Sequence, residues 1–362
     1  MNKIVLLAGA RPNFMKIAPL YRALTSRNIS AFLAHTGQHY DDKMSEIFFR
    51  ELGIPQPDVN LGIGPGDRIT QTRKIVQSLT PILVERKPDA IVVVGDVTST
   101  AAGAMAGVIT GTPVVHVEAG LRSFNWAMPE ELNRMIADHH SDLLLVSDPQ
   151  GLTHLKHERI PEERVHFVGN IMIDTLQHAL KQTEERTMLQ DHGLVPKGYG
   201  LVTMHRPENV DHPEHLASLV ETLGMVAEKL PLILPLHPRT KSRLEAAVLS
   251  FSPKIRVVDP LGYIDMLTLS KHAKMALTDS GGLQEETTAL GIPCITLREE
   301  TERPITVEQG TSEVLGRDRG AILAAVDRIL AGDWKKGSIP DGWDGKTAER
   351  IADLLKSFKP RT

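Results

Sequence analysis

The chain has 362 residues, of which 41% are hydrophobic and 24% are charged, and its formal net charge is −4. This length exceeds what one typical hydrophobic core accommodates, so we expect two globular domains. The negative net charge argues against nucleic acid or an anionic membrane as a partner.

The single cysteine, Cys294, rules out an internal disulfide and any CxxC metal site. It lies in the apolar run 292–297, where we expect a small buried filler. No apolar run approaches the roughly 20 residues that span a bilayer, and the N-terminus shows no signal-peptide pattern. We therefore expect a cytoplasmic protein.

Apolar strand-like runs alternate with amphipathic helical stretches from end to end. The predicted strands are residues 3–8, 31–36, 90–95, 113–118, 142–147, 165–168, 200–204, 232–236, 255–258, 275–278 and 293–297. The predicted helices include residues 13–26, 98–110, 173–181, 213–229, 240–249 and 346–358. Continuous Val, Ile and Leu strands between helices indicate parallel sheets that are covered on both faces, which is an α/β fold.

We place the domain junction after Gly169-Asn170, which gives a first domain over residues 1–170 and a second over residues 171–345. The last helix, 346–358, follows a connection rich in Gly, Pro, Asp and Trp, and we expect it to pack back on the first domain. Two doubly wound, Rossmann-like domains would place their strand carboxyl ends on the two sides of one cleft, where α/β folds bind ligands.

The segment 275–291 is the most informative stretch of the chain. A strand ends at Thr278, and Ser280, Gly281 and Gly282 then lead into a helix that carries Glu286. Glycines here let backbone N–H groups approach an oxyanion, and the helix dipole favours negative charge. Glu286 lies about 9 Å of helix rise beyond Ser280, which suits ribose hydroxyls better than phosphates. The alternative is an ordinary strand–turn–helix with a solvated acidic face.

Other polar clusters also directly follow predicted strands. They are Gly9-Ala10-Arg11-Pro12-Asn13 with Lys16, Gly95-Asp96, His116-Val117-Glu118-Ala119-Gly120, His205-Arg206-Pro207-Glu208-Asn209 and His237-Pro238-Arg239, and Met128-Pro129-Glu130-Glu131-Leu132-Asn133-Arg134 begins a further helix. Taken singly, Asp96 could be a helix cap, Glu130 a helix N-terminal charge and His205 a half-buried side chain. Their common placement at strand ends favours one binding site, in which Arg11 and Lys16 could clamp a diphosphate.

Several site classes lack their required motifs. No GxGxxG follows the first strand, so no nicotinamide cofactor is expected. The chain has no P-loop, no GxSxG and no HExxH motif, so we expect neither phosphoryl transfer through a P-loop nor a serine nucleophile elbow nor a metal site. The expectation is an enzyme without cofactor or metal.

At this point the chain resembles the non-hydrolysing UDP-N-acetylglucosamine 2-epimerases over nearly its whole length. The matching motifs are Gly9-Ala10-Arg11-Pro12 with Lys16, Thr36-Gly37-Gln38-His39, Gly95-Asp96, Val117 to Arg122, Pro129-Glu130-Glu131 with Asn133-Arg134, His205-Arg206, Thr278 to Glu286, and Thr301-Glu302-Arg303-Pro304. The resemblance implies a glycosyltransferase-B-like fold of two Rossmann-like domains, a homodimer, and a UDP-sugar in the interdomain cleft.

The resemblance also implies roles for particular residues. It assigns UDP binding to Arg11, Lys16, Ser280, Gly281, Gly282, Glu286 and Arg303, and it assigns catalysis to Asp96, Glu118, Glu130, Arg134 and His205. Departures from the commonest pattern are Asn13, Tyr40-Asp41-Asp42, Pro207, and Leu261 and Met266 at positions that contact the uridine. These departures put a second, activating UDP-GlcNAc site in doubt and leave room for a modified hexosamine.

The implied reaction is the reversible interconversion of UDP-GlcNAc and UDP-ManNAc. UDP leaves C1 either before or together with removal of the C2 proton by a base, and a 2-acetamidoglucal forms. Protonation from the opposite face and return of UDP complete the inversion. Asp96, Glu118 and Glu130 are the acid and base candidates, with no assignment of faces, and Arg134 is expected to hold Glu130 by an i,i+4 ion pair.

Alternatives remain open from the sequence. They are the same epimerisation of a modified UDP-2-acetamido sugar, a hydrolysing epimerase that releases ManNAc and UDP, a glycosyltransferase of the same fold, and a non-catalytic nucleotide-sugar sensor. The resemblance gives an envelope or capsular polysaccharide as the expected destination of the product.

Overall fold

A computed structural model describes residues 1–37 and 49–358, except for the side chain of Arg11. The chain divides into two compact units. Unit 1 consists of Met1–Gln177 and Asp341–Thr362, and unit 2 consists of His178–Pro340. In the described residues, no helix combines the length and apolar character that crossing a bilayer demands.

Unit 1 contains one sheet of seven parallel strands in the order β3-β2-β1-β4-β5-β6-β7. The strands are β1 Lys3–Ala8, β2 Ser30–His35, β3 Val59–Asn60, β4 Ala90–Val94, β5 Val114–Ala119, β6 Leu143–Val146 and β7 Val165–Phe167. The strands predicted for the first half are confirmed, with ends shifted by one residue at most. β3 was not predicted because a two-residue strand carries no periodic pattern.

Helices cover both faces of this sheet. The α-helices of unit 1 with both ends among the described residues are Arg11–Ser26, Arg68–Arg86, Thr98–Thr110, Pro129–His140, Pro149–His157, Ile171–Leu180 and Thr347–Ser357. Residues 49–52 are also helical, and Glu162–Arg164 is a 3₁₀ turn. Several begin at an acidic cap. Asp67 accepts the N–H of Thr70 at 2.9 Å, and Asp148 accepts that of Gln150 at 2.8 Å.

The unit boundary lies inside the helix Ile171–Leu180, seven residues beyond the junction placed from sequence. The reason is that the first turns of this helix bond within unit 1. Thr175 Oγ1 donates to the Met15 carbonyl, and Asp174 accepts the N–H groups of Thr347 at 3.2 Å and Ala348 at 2.7 Å. Asp174 thereby caps the C-terminal helix, and burial raises the pKa of its carboxyl to about 6.

Unit 2 contains a second parallel sheet of six strands in the order β10-β9-β8-β11-β12-β13. The strands are β8 Gly200–Thr203, β9 Leu232–Pro235, β10 Ile255–Val258, β11 Met275–Thr278, β12 Cys294–Thr296 and β13 Ser312–Val314. The helices are Met188–Asp191, Pro207–Val210, Pro213–Ala227, Pro238–Ala247, Tyr263–His272, Gly281–Leu290, Ile305–Glu308 and Arg319–Ala331, with a 3₁₀ turn at Lys181–Glu185. β13 was not predicted because it is short and polar.

Each sheet reverses its strand order at one point, between β1 and β4 in unit 1 and between β8 and β11 in unit 2. In open α/β sheets, ligands bind outside the carboxyl ends of the strands at such a switch point. All residues of β4 and β5 are buried, because helices cover both faces. Cys294 is fully buried in β12, as predicted, and burial raises the pKa of its thiol.

Candidate active site

Glu118 is held in an unusual backbone conformation. β5 and β6 pair in parallel, but Val117 lies opposite Leu145 and Ala119 opposite Val146, so Glu118 is an extra residue in the ladder. Its φ is 74°, a left-handed conformation that costs of order 1–3 kcal/mol for a non-glycine residue. The bulge redirects the Glu118 side chain, which is buried and accepts a hydrogen bond from Lys16 Nζ.

Gly95, which directly precedes Asp96, lies against the Lys16–Glu118 ion pair. Its φ is +67°, and a Cβ atom there would lie 2.8 Å from Lys16 Nζ and 3.3 Å from Glu118 Oε2. Only glycine combines that conformation with so close an approach. The turn after β4 therefore lies against the Lys16–Glu118 pair, as expected from the placement of these motifs at strand ends.

The carboxylate of Asp96 binds Arg134, whose Nη2 and Nε lie 2.7 Å and 3.1 Å from Asp96 Oδ2. Arg134 Nη1 also donates to Glu131 Oε2 at 2.6 Å, an i,i+3 pair. The expected i,i+4 pair between Arg134 and Glu130 was wrong. Within the described residues, Arg134 bonds Glu131, because Glu131 faces inward and Glu130 lies half-buried on the first turn of the helix.

Glu131 is thus a site residue that sequence reasoning missed. Its carboxylate also accepts the N–H groups of Ser123 at 2.9 Å and Phe124 at 3.1 Å, and it is almost completely buried. The Pro-Glu-Glu motif contained the signal, but two adjacent glutamates on a helix point about 100° apart. Only packing decides which of them turns inward.

Asn13 orders the turn after β1. Its Oδ1 accepts the N–H groups of Gly9 at 2.9 Å and Ala10 at 3.0 Å, and its Nδ2 donates to the Val94 carbonyl at 3.1 Å. Asn13, which departs from the commonest family motif, therefore links the end of β1 to the end of β4, and these two strands flank the switch point. The side chain of Arg11 and the segment 38–48, with Gln38-His39 and Tyr40-Asp41-Asp42, lie outside the described residues.

In unit 2, Ser280 begins the helix Gly281–Leu290 as its N-cap, and its Oγ accepts the Leu283 N–H at 3.5 Å. Neither Gly281 nor Gly282 has a positive φ. A Cβ on Gly281 would come no closer than 3.5 Å to a neighbour, and one on Gly282 no closer than 3.9 Å. The two glycines thus leave the backbone at this helix N-terminus open to close approach by an anion.

His205 is fixed beside this helix start by Asp279. The His205 ring Nδ1 lies 3.0 Å from Asp279 Oδ1, and Asp279 Oδ2 accepts the N–H groups of His205 and Arg206, each at 2.9 Å. Burial alone would raise the pKa of Asp279, but the His205 side chain and the N–H groups of Arg206 and His205 outweigh it and hold that pKa low. Asp279 is the second site residue that sequence reasoning missed, although it directly precedes Ser280.

Arg303 belongs to a compact network of charges. Its Nε lies 2.8 Å from Glu285 Oε1, and Arg298 Nη1 donates to Glu302 Oε2 at 2.6 Å. Burial raises the pKa of Glu302, but Arg303, Arg298 and Arg206 more than offset it and lower that pKa to about 2. The positive charges near the helix start are therefore already paired with carboxylates of the protein.

Glu286 lies near the middle of the helix Gly281–Leu290 and is buried. Burial, with a smaller contribution from Glu285, raises the pKa of Glu286 to about 7, although a hydrogen bond from Tyr263 opposes the rise. Met266 lies on the helix Tyr263–His272 and packs against the apolar cluster that contains Leu283. The predicted residues Met266 and Glu286 are thus both placed by these two helices.

Two groups of predicted residues result, one in each unit. In unit 1, Lys16, Asp96 and Glu118 lie at or after the ends of β1, β4 and β5. Arg134 approaches Asp96 from the helix Pro129–His140, which also carries Glu130 and Glu131. Unit 2 brings together His205, Ser280, Gly281, Gly282 and Arg303 after β8 and β11. Throughout residues 1–37 and 49–358, no three His, Cys, Asp or Glu side chains are grouped so that they could hold a metal ion.

Two parallel sheets with charged side chains gathered at their switch points define an α/β protein of the glycosyltransferase-B-like fold. A family model described as UDP-N-acetylglucosamine 2-epimerase matches residues 22–356. The chain belongs to the UDP-N-acetylglucosamine 2-epimerase family, and its enzyme class is isomerase.

Relatives support this membership over the whole length. The UDP-N-acetylglucosamine 2-epimerase of Methanocaldococcus jannaschii is 40% identical, with 98% of each chain covered. The UDP-2,3-diacetamido-2,3-dideoxy-D-glucuronate 2-epimerase of Pseudomonas aeruginosa is 37% identical and covers 98% of this chain and 99% of its own. The crystal structure of the M. jannaschii UDP-GlcNAc 2-epimerase in complex with UDP-GlcNAc and UDP has a TM-score of 0.89 at 39% identity, with 98% of this chain and 99% of that chain covered.

Proposed function

We propose that the protein is a non-hydrolysing 2-epimerase that reversibly interconverts UDP-GlcNAc and UDP-ManNAc. The observation that carries the proposal is the strained Glu118, which is held by Lys16 against the turn that leads to Asp96. A backbone strain of this kind persists only where the surrounding structure enforces it, and such positions cluster at active sites.

The proposed reaction has two balanced halves. In the first, the bond between C1 and the diphosphate oxygen breaks, a carboxylate takes the C2 proton, and the electrons of the C2–H bond form the C1–C2 double bond of a 2-acetamidoglucal. In the second, an acid returns a proton to the opposite face of C2, and the diphosphate oxygen of UDP bonds again to C1. Asp96, Glu118 and Glu130 supply the acid and the base, each for a typical factor of about 10²–10⁴.

The charges of unit 2 suit the departing nucleotide. The open helix start at Ser280 and Gly281 would offer N–H groups to the diphosphate. We assign the ribose hydroxyls to Glu286 on the same helix. Arg303 adds positive charge, and His205 adds a ring nitrogen held by Asp279, as negative charge develops on the leaving group. Because Arg303 is paired with Glu285, we propose that it exchanges this carboxylate for a phosphate when UDP binds.

A second candidate substrate is a UDP-2-acetamido sugar with further substituents. The observation that favours it is the 37% identity to an epimerase of UDP-2,3-diacetamido-2,3-dideoxy-D-glucuronate, close to the 40% identity to a UDP-N-acetylglucosamine 2-epimerase. Asn13 and Met266 depart from the commonest pattern at positions near the proposed ligand. The inversion at C2 would be the same for both substrates.

The test is an NMR time course in D₂O with each sugar nucleotide supplied alone. We expect the C2 epimer to appear with deuterium at C2, and UDP to remain bound to the sugar in the product. Product that keeps its original C2 hydrogen would contradict the proton transfer. Free UDP that accumulates in step with free N-acetylmannosamine would instead identify a hydrolysing epimerase, and turnover of only the diacetamido sugar would identify the second substrate.

A further inference from the structure

His116 lies at the centre of β5 and is completely buried. Its Nδ1 lies 2.6 Å from Asp138 Oδ1, and its Nε2 lies 2.8 Å from the carbonyl oxygen of Gly95. His116 belongs to the polar cluster that follows the predicted strand 113–118, but neither the family resemblance nor the proposed reaction gives its side chain a role. It nevertheless contacts the peptide group that joins Gly95 to Asp96.

Both hydrogen bonds of His116 run to acceptors. A main-chain carbonyl has no proton to donate, so Nε2 must carry one. Asp138 accepts from the Gly120 N–H at 3.1 Å and pairs with Arg122 Nη1 at 2.7 Å, as well as facing His116. A carboxylate that accepts a main-chain N–H and pairs with a guanidinium is stable in its ionised form, so the proton between Asp138 and Nδ1 belongs to the imidazole ring.

The charges of this network support that assignment. Burial would raise the pKa of Asp138, but His116 and Arg122 outweigh it and lower that pKa. Arg122 also donates to Glu158, from Nε to Oε1 and from Nη2 to Oε2, each at 2.7 Å. Without a charge on His116, one guanidinium faces two carboxylates, and a proton on both ring nitrogens of His116 balances them.

We propose that His116, held by Asp138, donates a hydrogen bond from each ring nitrogen and positions the Gly95–Asp96 turn for proton transfer at C2. The second half of the proposal rests on the proposed epimerase function. Asp138 and Glu131 lie on one helix, Pro129–His140. Glu131 accepts a hydrogen bond from Arg134, and Arg134 also donates to Asp96. The helix Pro129–His140 therefore holds Gly95 through Asp138 and His116, and holds Asp96 through Arg134.

The charge is tested by NMR of the complete protein with ¹⁵N-labelled histidine at about pH 8, above the ordinary histidine pKa of about 6.5. His116→Gln assigns the signals by their loss. We expect both ring nitrogens of His116 to carry a proton. In Asp138→Asn the side chain bears no charge and its amide NH₂ can donate to Nδ1, so we expect the Nδ1 proton to be lost and the Nε2 proton to remain. A single ring proton in the unaltered protein would overturn the charge assignment, whether or not the protein is an epimerase.

The positioning role is tested by kinetics. We expect His116→Gln to lower kcat by about 10²-fold, the typical effect of a small misplacement of reacting groups, with KM changed less than threefold. His140→Gln is the matched control, since that ring is exposed on the same helix as Asp138, and it should leave kcat unchanged. If His116→Gln does not fold, Asp138→Asn serves for the same measurement. A folded variant with an unaltered kcat would refute the role, whereas an unaltered protein without activity would refute the proposed function alone.

Discussion

Replacement of Glu118 by glutamine separates the chemistry of this carboxylate from its structural role. Glutamine has nearly the same shape, so the left-handed backbone at this position is kept, but the group can no longer accept a proton at neutral pH. We expect kcat to fall by about 10²–10⁴-fold, the usual contribution of a general acid or base. KM for the UDP-sugar should change little, because the substitution leaves Lys16 and the nucleotide contacts proposed in unit 2 in place.

The same substitution has a calculable effect on stability. The side chains of Lys16 and Glu118 are 9% and 5% exposed, so the variant leaves a buried ammonium opposite a neutral amide. Loss of a whole buried partner costs about 3–5 kcal/mol. Because the amide oxygen still accepts a hydrogen bond, we expect a smaller loss of about 2 kcal/mol. For a unit of this size that lowers Tm by about 4–8 °C.

The assays are deuterium incorporation at C2 by NMR and thermal unfolding of Glu118→Gln. A double-mutant cycle with Lys16→Met adds the coupling free energy of the pair, which we expect to exceed about 1 kcal/mol. Glu162→Gln makes the same chemical change on an exposed glutamate of unit 1 and should alter neither quantity. A Glu118→Gln variant that retains kcat within tenfold of the original would refute the role of Glu118 as acid or base.

Three further predictions concern other parts of the two sites. Gly95→Ala should lose activity and about 1–2 kcal/mol of stability, measured by urea unfolding, because alanine disfavours a φ of +67° and its methyl group would displace Lys16. Glu286 has its folded pKa raised from 4.5 to about 7, so its contribution to stability is complete below pH 4.5 and is lost as pH rises through 7. Glu286→Gln should therefore gain up to about 3 kcal/mol over the original protein between pH 5 and pH 8, and parallel pH profiles would exclude the raised pKa. Arg303→Gln should weaken UDP binding about tenfold or more by calorimetry, and an unchanged Kd would remove Arg303 from the proposed leaving-group site.

The sequence alone determined the α/β class, because continuous apolar strands between helices have few other solutions. It also determined which polar motifs follow strands, and parallel strands bring their carboxyl ends to one edge. Their order along the chain was therefore enough to predict that Lys16, Asp96 and Glu118 lie near one another. The family resemblance added the UDP-sugar and the reaction type.

Only the tertiary structure decided which partner each charged group takes. Glu130 and Glu131 precede Arg134 on its helix by four and three residues, and either spacing permits an ion pair. Three further features depend on residues from different elements. They are the bulge at Glu118 between β5 and β6, the hydrogen bonds of His205 to Asp279, and the contact between His116 and Asp138. Such contacts depend on register and on which helix face turns inward, and both are fixed by packing of the whole unit.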